Sequence, residues 1–248
     1  MAALLSRTLL LAPLALSAIG SAHAAASCSA RSAATITPVV ELYTSEGCNS
    51  CPPADRWLST LKPDAAVVAL AFHVDYWDRL GWKDRFASPS YTRRQSQQLA
   101  PSGARFAYTP QVMIDGVDQP DWLRAAVPAA SARQPALVDV QLRREGQRVD
   151  ASIAARAGSP TRLAAYWAVT EQGHASAVRA GENQGATLRH DFVVREYVPV
   201  AAWASRAETV TLRFEPASAA DPAHPRQINL VIVDADRGRP VQALKLGC

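Results

Sequence analysis

Residues 39–51 read Val39-Val40-Glu41-Leu42-Tyr43-Thr44-Ser45-Glu46-Gly47-Cys48-Asn49-Ser50-Cys51 and run into Pro52-Pro53. The first six are mostly β-branched or aromatic and predict a strand. Ser45-Glu46-Gly47 predicts a turn, and a helix is expected over 51–61. Proline is tolerated in a first helical turn, where the N–H groups have no intrahelical partner. A C-x-x-C therefore falls at a helix N-terminus directly after a strand. The free N–H groups and the helix dipole there favour a thiolate, and the thiolate is the nucleophile of thiol–disulfide exchange. Cys48 is the expected attacking sulfur, and Cys51 the sulfur that resolves a mixed disulfide. Glu46 works against this, since its negative charge disfavours a nearby thiolate.

Working outward, residues 66–74 (AVVALAFHV) form an unbroken apolar run, the pattern of a strand buried on both faces. It ends in His73 and, one residue later, Asp75. These two are candidates for proton transfer or ligand binding, or else a hydrogen-bonded scaffold under the aromatic loop that follows. A helix is expected over 90–99, a strand over 111–114 and a helix over 121–130. The first half thus reads as strands alternating with helices. The second half alternates differently. Residues 136–144 and 149–155 predict a hairpin, and further strands are expected over 163–170, 188–197, 209–214, 227–233 and 241–246. Such runs indicate an antiparallel β-sandwich. The change near Arg133-Gln134-Pro135 marks the boundary between a domain over 36–133 and one over 134–248. His190, Asp191 and Arg195 read as braces between the two.

Residues 1–24 have the form of an export signal: Arg7, an apolar stretch over 9–19, and Ala22-His23-Ala24 as a small-x-small cleavage site. Residues 25–35 are a polar lead. The expected location is periplasmic or secreted, where disulfides persist. Four cysteines allow three pairings. With Cys48 and Cys51 in one motif, Cys28 and Cys248 near the mature ends are the favoured second, structural pair, and two exposed thiols are the alternative.

The stretch ELYTSEGCNSC resembles the active-site turn of the thioredoxin superfamily, and Thr109-Pro110 before the third strand resembles its threonine and cis-proline. The resemblance implies that Pro110 shapes the site and that the backbone of Thr109 pairs with an extended substrate. It also implies a buried carboxylate handling the second cysteine's proton. Glu41 is the residue available, one position out of register with the family. Four further motifs are spread between Leu42 and Arg195, a span that covers most of the mature chain: LYTSEGCNSCPPAD, AFHVDYWDRLGWKDRFASP, YTPQ and GENQGATLRHDFVVR. They are similar to an exported thioredoxin-like family known as domain of unknown function 1223, which implies the fold and the site but brings no substrate.

With 248 residues, 48% hydrophobic and 19% charged, the chain can bury a sizeable core and is not a disordered polymer. The formal charge of +4 is scattered, without the basic, aromatic-interleaved stripe of a nucleic-acid groove. Beyond the leader, no apolar run reaches membrane-spanning length. No Gly-rich nucleotide loop, nucleophile elbow or H-E-x-x-H is present. The expectation is a thioredoxin-like α/β domain followed by an antiparallel β-sandwich. Its expected activity is thiol–disulfide exchange with exported protein thiols or disulfides and a redox partner, without organic cofactor or metal. The alternatives are a binding or structural protein with a non-catalytic disulfide, and a copper chaperone using Cys48, Cys51 and His73.

Overall fold

The computed structural model describes residues 27–129, 132–206 and 208–248; the expected export signal lies outside them. The strands are β1 (Ser27–Arg31), β2 (Val39–Thr44), β3 (Val68–His73), β4 (Gln111–Ile114), β5 (Val117–Asp118), β6 (Val138–Glu145) and β7 (Arg148–Ala155). They continue as β8 (Arg162–Glu171), β9 (His174–Ala177), β10 (Thr187–His190), β11 (Val193–Ala204), β12 (Val210–Phe214), β13 (Arg226–Asp234) and β14 (Pro240–Leu246). Two α-helices, α1 (Pro52–Ser59) and α2 (Pro89–Ser102), and a short 3-10 helix (Asp78–Leu80) complete the described elements. None of these helices is long and apolar enough to cross a membrane.

An eight-stranded mixed sheet runs in the order β14-β13-β8-β11-β3-β2-β4-β5. It crosses the sequence boundary near residue 133, because β11 lies parallel to β3, with Val193 opposite Ala71. A four-stranded antiparallel sheet, β1-β6-β7-β12, covers its β8, β13 and β14 end. Alternating residues such as Val138, Val140 and Leu142 point into the space between the sheets. Trp167 stacks there on Phe214 with ring centroids 4.9 Å apart.

On the other end of the large sheet, strand alternation sorts residues between two helices. Val40 and Leu42 face α1, packing on Ala54 and Leu58. Val39 and Tyr43 face α2, packing with Phe72 and Tyr91. β2 and β3 run parallel in register, so Thr44 and His73 end side by side.

Several elements differ from the sequence expectation. The polar lead contributes β1, whose residues pair along the β6 edge. The strand expected over 188–197 is two strands, because Phe192 takes φ 57° and turns the chain between β10 and β11. Residues 121–124 form turns rather than a helix. That segment lies between Pro120 and Pro128, too short a stretch to nucleate a stable helix, and Leu123 is left 71% exposed.

Cys28 and Cys248 form a disulfide across 220 residues, with Cα atoms 6.5 Å apart. It ties β1 of the small sheet to the chain segment after β14 of the large one, and the Arg144 guanidinium donates to the Cys248 carbonyl. A cross-link closing so long a loop restricts the unfolded chain. Replacing both residues by serine is expected to cost about 2–5 kcal/mol. The measurement is thermal unfolding, with Tm falling roughly 2–4 °C per kcal/mol for a chain of this size. An unchanged Tm would contradict it.

Candidate functional site

Cys48 and Cys51 form a disulfide at the β2–α1 junction, with Cα atoms 5.4 Å apart. The turn is built by the backbone: the Cys48 N–H donates to the Ser45 carbonyl and the Cys51 N–H to the Cys48 carbonyl, each at 3.2 Å. Pro52 and Pro53 open the helix, and Cys51 stands at the N-cap. The Ser50 hydroxyl lies 3.3 Å from the Cys48 sulfur. Gly47 permits a close approach, since a Cβ there would stand 3.0 Å from Trp77 Cβ. Trp77 in turn donates its indole N–H to Thr109 Oγ1 at 2.8 Å, joining the C-x-x-C turn to the Thr109–Pro110 segment, whose peptide is cis.

Both sulfur-bearing residues are fully buried. The cover is the loop between β9 and β10, residues 178–186. Asn183 Nδ2 donates to the carbonyls of Glu46 and Cys48, both at 2.9 Å. The Asn49 N–H donates to Glu182 Oε2 at 3.1 Å. Sequence reading found this GENQG segment as a motif but not as a cap, because nothing local places a loop over a turn some 135 residues away.

Beneath the turn lies a buried group of charged residues. Glu46, Asp55, His73, Asp84 and His190 are each at most 7% exposed. His73 Nδ1 lies 2.6 Å from Asp84 Oδ2. The same oxygen accepts the Glu46 N–H, and the other accepts the Phe86 N–H, both at 2.9 Å. Burial pushes the Asp84 carboxyl up, but His73 and these backbone donors outweigh it and hold it at about 2. Glu46 Oε2 accepts the Trp82 indole N–H at 2.6 Å. Burial raises Glu46 too, and the neighbouring His190 ring and the Trp82 indole bring it below the ordinary value. His190 stands between Glu46 Oε1 at 3.4 Å and Asp55 Oδ1 at 3.6 Å. Burial lowers its basicity, but Asp55 and Glu46 reverse this and raise it to about 9. With no ion bound, the ring faces these two carboxylates and is favoured in its protonated form.

The sequence candidates separate here. His73 joins this group. Asp75 does not: its Oδ1 takes the Thr92 hydroxyl at 2.5 Å, bracing α2. Glu41 lies on the α2 face of β2, opposite the helix that carries Cys51. Its carboxylate is held by the Arg94 guanidinium and by Tyr166 Oη, the latter at 2.6 Å. The one-residue register difference is decisive, because neighbouring strand residues point to opposite faces. The structure therefore does not bring Glu41 to the cysteines; Glu46 and Asp55 are the carboxylates near them. His190 enters the site group, whereas Asp191 pairs with Lys62 at 3.0 Å and Arg195 with Glu171 at 3.2 Å.

The fold and site define a mixed α/β protein carrying a C-x-x-C disulfide at the start of a helix. The chain belongs to the family described as protein of unknown function (DUF1223), whose model matches residues 39–233. It is similar to the crystal structure of protein AGR_C_4864 from Agrobacterium tumefaciens, at 29% identity and TM-score 0.62, over 86% of this chain and 94% of that one. It is also similar in fold to HBP35 of Porphyromonas gingivalis, at 13% identity and TM-score 0.57, over 87% and 76% of the two chains. Among curated proteins none matches this chain.

Proposed function

We propose that this protein is an exported thiol–disulfide oxidoreductase of thioredoxin-like type, exchanging disulfides with exported proteins through Cys48 and Cys51. The observation that carries the reading is the Cys48–Cys51 disulfide at the junction of a buried strand and a helix. In the reduced protein the Cys48 thiolate attacks one sulfur of a substrate disulfide and releases the other as a thiolate. Cys51 then attacks the Cys48 sulfur of the mixed disulfide, freeing the second substrate thiol and regenerating the internal bond. Two electrons pass to the substrate, and a partner dithiol restores them; with the opposite poise the same steps run in reverse. Thr109 and Pro110, joined to the turn through Trp77, shape the substrate side. The export signal over 1–24 supports a periplasmic or secreted location.

The test is exchange in both directions: oxidised protein against a dithiol and reduced protein against a model disulfide. Rates above those of glutathione support the proposal, and rates at or below them contradict it.

Burial of both sulfurs favours a second reading, a structural disulfide that holds the turn. The two readings differ in what the 178–186 loop does. For an exchange catalyst the loop must lift. The fraction of open molecules then scales the reduction rate. Asn183→Ala removes two hydrogen bonds from the closed state, each worth about 0.5–1.5 kcal/mol. Reduction by dithiothreitol is expected to speed up by about 5–100-fold. An unchanged rate would mean that the loop does not gate the sulfurs.

A further inference from the structure

We propose that His73, His190 and Asp55 form a site for one divalent transition-metal ion of the zinc class, buried beneath the disulfide and made without sulfur. One ring nitrogen of each histidine and one carboxylate oxygen of Asp55 lie within 4.8 Å of one another. The residues are 0%, 2% and 7% exposed.

The hydrogen-bond pattern around them is what points to an ion. His73 Nε2 is buried without a hydrogen-bond partner, and both nitrogens of His190 are buried facing carboxylates without a formed hydrogen bond. Buried polar atoms of this kind are rare and cost about 1–3 kcal/mol each. The separations of His190 from Glu46 and Asp55, 3.4 and 3.6 Å, exceed a normal N–H···O bond of about 2.7–3.2 Å. A tetrahedral ion with bonds of about 2.0–2.1 Å sets its ligands roughly 3.3 Å apart, close to the Asp55–His190 gap. The third ligand atom lies within 4.8 Å of the other two and must close in to bind the ion.

Two of the three ligands also have their outward atom hydrogen-bonded. His73 Nδ1 is tied to Asp84 at 2.6 Å. Asp55 Oδ2 accepts the Thr44 hydroxyl at 2.9 Å. His190 turns Nε2 toward Glu46, leaving Nδ1 toward Asp55. A carboxylate behind a ligating imidazole is the usual way its tautomer and orientation are fixed. Phe86 packs against both rings, at 5.2 and 5.7 Å between centroids, which restrains them further. A cavity of about 150 Å³ lined by Asp55, Arg56, Leu188 and His190 gives an ion or its water a way in. Two nitrogens, one carboxylate oxygen and an open position suit zinc, and by affinity cobalt or copper.

The proposal is independent of the exchange reading, and one variant separates them. Tag-free protein is stripped with chelator, kept oxidised, and titrated with Zn²⁺ and Co²⁺ at pH 7. One equivalent is expected to bind, with Co²⁺ d–d absorption and no sulfur-to-metal band. Asp55→Asn and His190→Gln, checked for fold by circular dichroism, are each expected to weaken binding on the order of 100-fold. Asp84→Asn is expected to weaken it about 10–100-fold. Cys48→Ser/Cys51→Ser is expected to keep the metal while losing exchange. Absence of Co²⁺ binding by folded wild-type protein would overturn the proposal. So would binding indifferent to Asp55→Asn and His190→Gln, or binding lost with the cysteines.

Discussion

Cys51→Ser is expected to stall the protein as a covalent adduct with its substrate, and Cys48→Ser to form none. If Cys48 attacks first, the mixed disulfide persists once the resolving sulfur is gone. Intact mass of Cys51→Ser after mixing with a model disulfide should show one added substrate half per chain. Cys28 and Cys248 are already bonded to each other and do not compete. The Cys48→Ser protein should lose turnover entirely. It should also give little adduct, because Cys51, at the N-cap of α1, acts in this reading only on a sulfur already bonded to Cys48. Adduct formation on both variants alike would contradict the assignment of roles. Failure to form adduct on Cys51→Ser, with the protein folded and the thiol titratable, would contradict exchange.

The second large effect is structural. Arg94 is 6% exposed and joined to the buried Glu41. Its guanidinium lies 4.1 Å from the Tyr166 ring centroid and donates to Tyr197 Oη at 3.0 Å. Arg94→Met strands a carboxylate in the α2-facing core, and breaking a buried pair in this way costs about 3–5 kcal/mol. Urea unfolding should show a lower midpoint for Arg94→Met. Adding Glu41→Gln should recover much of the loss, because no charge is then left unpaired. Stranded charge and lost packing then separate. A loss that Glu41→Gln fails to recover would point to lost packing rather than to a stranded carboxylate.

The sequence made the local elements legible where the residue pattern is local. Both cysteines, the strand before them and the two prolines fix the β2–α1 junction, and the alternating second half gives the small sheet. What lay beyond reach depends on long-range pairing. The single parallel pairing of β11 with β3 makes one sheet of two expected units, and no residue pattern announces it. Glu41 was legible as a buried carboxylate but not as one facing α2, since a one-residue register difference reverses the face of a strand. The group beneath the turn gathers Glu46, Asp55, His73, Asp84 and His190 from separate elements. Its one visible signal was a histidine ending an otherwise apolar run. The 178–186 segment was legible as a motif but not as a cap, because that role comes from Asn183 meeting two carbonyls of the C-x-x-C turn.

The central claim is that Cys48 and Cys51 exchange with other proteins rather than hold a turn together. The reduction potential of that pair tests it most directly. The protein is equilibrated in glutathione buffers, with Cys28–Cys248 followed separately by mass mapping of alkylated thiols. An exchange catalyst is expected to lie between about −120 and −270 mV, the span of known catalysts, and the position within it sets the direction of transfer. A potential below about −300 mV is that of a structural disulfide, and would contradict the proposed activity.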